Sequence, residues 1–250
     1  MSERLAMLPS APAPRRHGFV AGLLAGAVGV FCVGLVLSQA TPRVDVEGVT
    51  TTLSSSPSLS ALAGVSAADL ALINTPLDAA SNLTEEAWIS ARIARWIVHA
   101  NTWGTIATTS VHLDGAPFAS MISYSDGVGA SPRNATGRLY FYSSVMGSTG
   151  KDLAANPRAS VSITMAQLGH CAYDPQDPTC WRVVFSGTLT PAVAVDDALA
   201  ALFSKHPQMS YWPRGHDFTA YEMHPTEILL LDFYGGAKHI DPATYYSVRF

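Results

Sequence analysis

Between Gly18 and Leu37 the chain runs through 20 residues, GFVAGLLAGAVGVFCVGLVL, without one charged side chain. At helical rise this length spans roughly 30 Å, the depth of a bilayer's hydrocarbon core, and no polar face interrupts it. It reads as a membrane segment, either an uncleaved signal-anchor or a signal peptide cut after the small residues Ser38-Gln39-Ala40. Arg4, Arg15 and Arg16 precede it, whereas Arg43 beyond it is offset by Asp45 and Glu47. Residues 1–17 are therefore expected in the cytosol and the bulk of the chain in the lumen. The secretory pathway follows, as a single-pass membrane protein or as a secreted or endolysosomal one after cleavage.

From Thr41 to Ser81 the pattern turns to Ser, Thr, Ala and Pro with no aromatic residue, which predicts a flexible stalk. A short helix near Ala67 to Ile73 is left open. The ordered domain, residues 82–250, is expected to begin where Asn82 can cap a helix and Glu85 can reach back to the cap. Ile89, Ile93, Trp96, Ile97 and Ala100 then recur at helical spacing, with Arg92, Arg95 and His99 on another face.

After Trp103-Gly104 the period shortens. Thr105 to His112 and Ala116 to Tyr124 flank an Asp114-Gly115 turn and predict a hairpin. Further strands are predicted over Arg138–Ser144, Ala159–Met165, Trp181–Thr190, Phe218–His224 and Glu227–Phe233, with helices over Gly150–Ala155 and Val193–Ser204. Seven short strands need closure to protect their edges, so the fold class is mainly β, a small antiparallel barrel with peripheral helices.

Charge and cysteine content narrow the function classes. Fifteen Lys and Arg against 19 Asp and Glu leave a formal net charge of -4, and the folded part holds no basic cluster, which argues against a nucleic-acid partner. Cys32 sits in the apolar run, while Cys171 and Cys180, with eight residues between them in a turn-rich stretch, suit a disulfide in an oxidising lumen. Adding His170 would make half a metal site, but no second Cys/His pair has ligand spacing. His206, His216 and His224, with Asp232, are conceivable acid-base groups, yet no catalytic motif assembles them. Asn82-Leu83-Thr84 and Asn134-Ala135-Thr136 are glycosylation sequons, placed in the lumen by the expected topology.

Several stretches taken together carry a resemblance. They are Trp103-Gly104-Thr105-Ile106-Ala107-Thr108, Gly115-Ala116-Pro117-Phe118-Ala119 through Ser125-Asp126-Gly127, and Leu139 to Ser144. Next come Asp152 to Ser160 across Asn156-Pro157-Arg158, and Asp174-Pro175-Gln176-Asp177-Pro178-Thr179-Cys180. His206-Pro207-Gln208-Met209, Trp212-Pro213, His216, Leu231 to Gly236 and Tyr245-Tyr246 complete the series. In this order they resemble the CREG-like glycoproteins, a family within the pyridoxamine-phosphate-oxidase-like, FMN-binding split barrels, from about Ala91 to Val248.

The resemblance implies an antiparallel split β-barrel, a homodimer and a glycosylated, exported protein that acts through its surface on a partner yet to be identified. It also implies where the wider superfamily would hold FMN. Carried onto this chain, the candidates are Ser123, Ser125, Ser144, Thr149 and Lys151. A phosphate dianion calls for charge-assisted donors. The Ala119–Ser125 stretch offers Ser120, Ser123 and Ser125 without Arg or Lys, and Ser148-Thr149 stands where flavin enzymes place basic residues. No cofactor is therefore expected, and a non-catalytic binding or regulatory role is preferred over an FMN-dependent oxidoreductase.

Overall fold

A computed structural model of the chain describes residues 65–79 and 81–250. The segment at 18–37, read as membrane-embedded, and most of the stalk lie outside the described residues. Among the described residues no helix is long and apolar enough to cross a membrane. The latter part of the stretch read as stalk is structured. Helix α1, Ala67–Ile73, is capped by Ser66 and buries Ile73 completely.

Helix α2, Glu85–Ala100, carries the expected stripe, with Ile93, Trp96 and Ile97 in the core. Two expectations about it need correction. Its cap is Thr84, whose side chain accepts the Ala87 amide, not Asn82, which is exposed. Arg92 and Arg95 do not face solvent: they are 1 % and 0 % exposed. Arg92 donates from Nε to the Leu72 and Ile73 carbonyls at 2.8 and 3.0 Å and from Nη1 to the Arg249 carbonyl at 2.8 Å. Arg95 donates to the Val248 and Ala135 carbonyls at 2.6 and 2.5 Å. Five guanidinium N–H groups make arginine the side chain able to staple several unpaired carbonyls at once. Burial lowers both guanidinium pKa values.

The barrel strands are β1 (Trp103–Thr109), β2 (Pro117–Ser125), β3 (Tyr140–Ser144), β4 (Arg158–Thr164), β5 (Arg182–Pro191), β6 (Phe218–Leu231) and β7 (Lys238–Ile240). They are antiparallel in the order β3-β2-β1-β4-β5-β6-β7, and pairing of β3 with β6 closes six of them into a barrel. Closure works because β6 is long. Its first residues, 218–222, bond to β3, while 228–230 on the same edge bond to β7. The first strand stops at Thr109, short of the predicted His112, and joins β2 through residues 110–116, where Asp114 and Gly115 adopt φ 53° and 89° and the Gly115 amide donates to the Ser110 carbonyl at 2.8 Å.

The two strands predicted at Phe218–His224 and Glu227–Phe233 are one. Pro225 read as a break, but opposite it Gly187 pairs with Pro225 and Ser186 with Glu227, so Thr226 is an extra residue in a β-bulge. The strand β7 and helix α5 (Pro242–Ser247) have no counterpart in the sequence reading, being too short to show a period. Helices α3 (Ser148–Ala155) and α4 (Val195–Lys205) fall where expected. Cys171 and Cys180 form a disulfide, Cα to Cα 5.0 Å.

Gly150, in the first turn of α3, sits where any side chain would strike the sheet: an added Cβ would lie 2.0 Å from the Ser144 carbonyl oxygen. Alanine ordinarily gains about 1 kcal/mol over glycine inside a helix. Gly150→Ala should reverse that sign and lower the midpoint of urea unfolding, since the clash is with backbone. An unchanged or higher midpoint would show that α3 can retreat from β3.

Candidate functional site

A cavity of about 650 Å³ opens between the ends of β2 and β3, the start of α3 and the 207–217 segment. One wall is aromatic. Tyr142 stacks on Phe218 and Trp212 at centroid distances of 5.1 and 5.8 Å, and Phe203 meets Tyr142 edge-on at 5.6 Å. The opposite wall is hydroxylic, with Ser120, Ser123, Ser148 and Thr149, and ends at Gly147, which caps α3 without a side-chain hydrogen bond. Met121 and Met146 form part of the rim, each more than half exposed.

Of the five residues carried over for FMN, three line this cavity: Ser123, Ser144 and Thr149. Ser144 is already engaged, its Oγ donating to the His216 carbonyl and accepting the Met146 amide. Ser125 lies outside the lining, fully buried, with its Oγ donating to the Gly127 carbonyl at 2.7 Å. Lys151 is exposed on α3 and also outside it. Among the described residues no Lys or Arg lines the cavity. A phosphate monoester carries nearly two negative charges, against about half a positive charge at a helix N-terminus. Hydroxyls and the first amides of α3 therefore leave the dianion largely uncompensated, and the residues present do not fit the phosphate of FMN.

The aromatic wall escaped the sequence reading because its members come from β3, the 212 turn and β6, with Phe203 of α4 backing Tyr142 from outside the lining. The spacing of Tyr140 and Tyr142, two apart in a strand, was the available signal: Tyr140 packs with α4, and Tyr142 looks into the cavity. The histidines do not converge. His216 lines the cavity, His206 is buried with Nε2 on the Tyr124 carbonyl at 2.9 Å, and His224 lies on β6 opposite Thr188. Asp232 is paired with Lys238 at 2.8 Å.

Beside the barrel end lies a charged cluster. Asp126, at 0 % exposure, accepts from Lys205 Nζ at 2.5 Å through Oδ1 and meets His99 Nδ1 at 3.1 Å through Oδ2. Burial pushes the Asp126 carboxyl up, but the His99 hydrogen bond and the Lys205 charge outweigh it and hold its pKa below the usual value.

Residues 85–247 match the family described as CREG, beta-barrel. The chain belongs to the CREG family. Protein CREG1 of Gallus gallus is 38% identical over 167 residues, 64% of this chain and 86% of that one. Protein CREG1 of Homo sapiens is 37% identical over 166 residues, 64% of this chain and 74% of its own. Among solved structures, a heme binding protein from Mycobacterium smegmatis superposes with a TM-score of 0.51 at 23% identity, covering 64% of this chain and 61% of that one. A protein of unknown function from Agrobacterium tumefaciens gives 0.50 at 17%, covering 68% and 64%. At these identities the two structures speak to the shared fold alone. For this CREG family member the fold is an antiparallel six-strand barrel with flanking helices, consistent with a split barrel.

Proposed function

We propose that this CREG family member is an exported, non-catalytic glycoprotein that works as a homodimer and acts by binding a partner through its surface. The observation that carries this reading is the cavity's lining, rich in hydroxyls and aromatics but without Lys or Arg, on a barrel whose flavin-dependent relatives need such charge. The FMN-dependent oxidoreductase is the competing reading. The full-length chain, purified as expressed, should show no flavin absorbance in the visible. A yellow protein releasing FMN on denaturation would overturn the proposal.

The dimer half of the proposal rests on one sheet face. Strand registers align Met121, Thr105, Ser162 and Val184 in one row and Ala119, Ala107, Ser160 and Ser186 in the next. These outward side chains are small or apolar and uncharged, and none is buried. Such a flat face suits a self-complementary, two-fold contact. Ala107→Glu, which would set like charges against each other across the axis, should turn a sedimenting dimer into a monomer. A wild-type monomer at micromolar concentration would contradict it.

Export is supported by the charge-free run at 18–37 and by the disulfide, which needs an oxidising compartment. Both sequon asparagines are exposed; Asn134 Nδ2 donates to the Val128 carbonyl at 3.1 Å, whereas Asn82 is relieved of a capping role by Thr84.

A further inference from the structure

The connection between β2 and β3, residues 126–139, is pinned beside α2 and α4 by His99. Its ring, 13 % exposed, has an acceptor at each end: the Asp126 carboxylate at Nδ1, 3.1 Å away, and the Ala130 carbonyl at Nε2, 3.2 Å away. Neutral imidazole carries a single N–H, and only the doubly protonated ring donates to both. We propose that His99 is a protonation-dependent latch, closing the 127–131 segment onto α2 and α4 when charged and releasing its Ala130 end when neutral.

The surrounding groups decide which end lets go. Lys205, from α4, contacts Asp126 at 2.5 Å and the His99 carbonyl at 3.4 Å, so the carboxylate stays ionised and keeps the remaining imidazole proton on Nδ1. Nε2 then presents a lone pair to the Ala130 carbonyl, which is repulsive. The other charged or titratable groups nearby are committed elsewhere. Arg95, on the same helix, donates to the Val248 and Ala135 carbonyls, His206 sits on the Tyr124 carbonyl, and Tyr124 donates to the Val98 carbonyl at 2.7 Å. From the C-terminal segment, Arg249 gives its carbonyl to Arg92, and the Phe250 ring lies 6.3 Å from that of His99.

Apart from His99, the segment is held by the Asn134 Nδ2 bond to the Val128 carbonyl at 3.1 Å and by one contact to α4. Val128 is half exposed, and the Gly129 amide rests on Ser204 Oγ at 2.8 Å, a contact made across to α4 that opening would break. Histidine changes charge between about pH 5 and pH 8, the span between acidic and neutral compartments.

Amide hydrogen exchange on the full-length chain tests this. After correction for intrinsic rates, the Gly129 amide should exchange about three- to tenfold faster at about pH 7.5 than at about pH 5.5, while amides of β4 show no such change. His99→Gln, which cannot take up a second proton, should abolish the difference. Equal protection of wild-type Gly129 at both pH values, or a pH difference that survives in H99Q, would overturn the proposal. Should H99Q fail to fold, the wild-type comparison still decides, together with the ring nitrogen shifts of His99, which must report two N–H groups in the protected form.

Discussion

Replacing Arg95 by methionine is expected to lower the unfolding free energy by about 3 kcal/mol, measured by urea denaturation. The guanidinium is fully buried and holds the Val248 and Ala135 carbonyls, with a longer contact to Tyr245 at 3.4 Å. Each buried carbonyl left without a donor costs about 1 to 3 kcal/mol, while relief of the arginine's own desolvation offsets part of the sum. The loss should be localised as well as global. Amides of α5 and residues 248–250 should exchange faster, because Arg95 ties the end of the chain to α2. Arg92→Met should instead loosen α1, whose Leu72 and Ile73 carbonyls Arg92 holds. A variant R95M as stable as wild type would mean that water replaces the guanidinium without loss.

Asp126→Ala should cost about 3 to 5 kcal/mol, the usual range for leaving a buried charge without its partner. Lys205 and His99 would both face a cavity in place of a carboxylate. The same group sets an acid limb. Its folded pKa lies below the unfolded value of about 3.9, so its contribution is fully present above that pH and is lost as pH falls through the folded value. In D126N the acid limb of a stability-versus-pH profile should flatten. An acid limb identical to that of wild type would assign it to other carboxylates.

The barrel was legible in the sequence because its strands bury one face each. Ala159, Val161 and Ile163 alternate with Ser160 and Ser162, and the alternation reads directly as inside and outside. Asp114-Gly115 marked the turn between β1 and β2, although the connection runs over residues 110–116. Where the sequence misled, tertiary contacts overrode a local rule. Pro225 cannot donate to a ladder, but a bulge at Thr226 lets β6 run past it. In the sequence Arg92 and Arg95 stand on a face apart from the apolar stripe, and nothing local reveals that α1 and the C-terminal segment bring orphaned carbonyls to them. Asn82 reads as the cap of α2 because its side chain suits that role, but the helix starts at Glu85 and Thr84, equally suited, stands next to it.

The candidate site was legible in its deficiency more than in its shape. The missing cations along Ser120–Ser125 and at Ser148-Thr149 are visible as residue types, and Ser123, Ser144 and Thr149 all line the cavity. Its aromatic face depends on β3, the 212 turn and β6 meeting, and the Asp126, Lys205 and His99 cluster on three residues spread over 107 positions of sequence. Neither has a linear signature.

The proposed binding role turns on whether a cavity lined without Lys or Arg can hold the phosphate of FMN. Calorimetric titration of FMN into the full-length chain tests it most directly. The expected result is no saturable binding up to about 1 mM, the weakest affinity worth about 4 kcal/mol. A micromolar dissociation constant, lost on Thr149→Ala, would contradict it by showing that hydroxyls and the amides of α3 suffice.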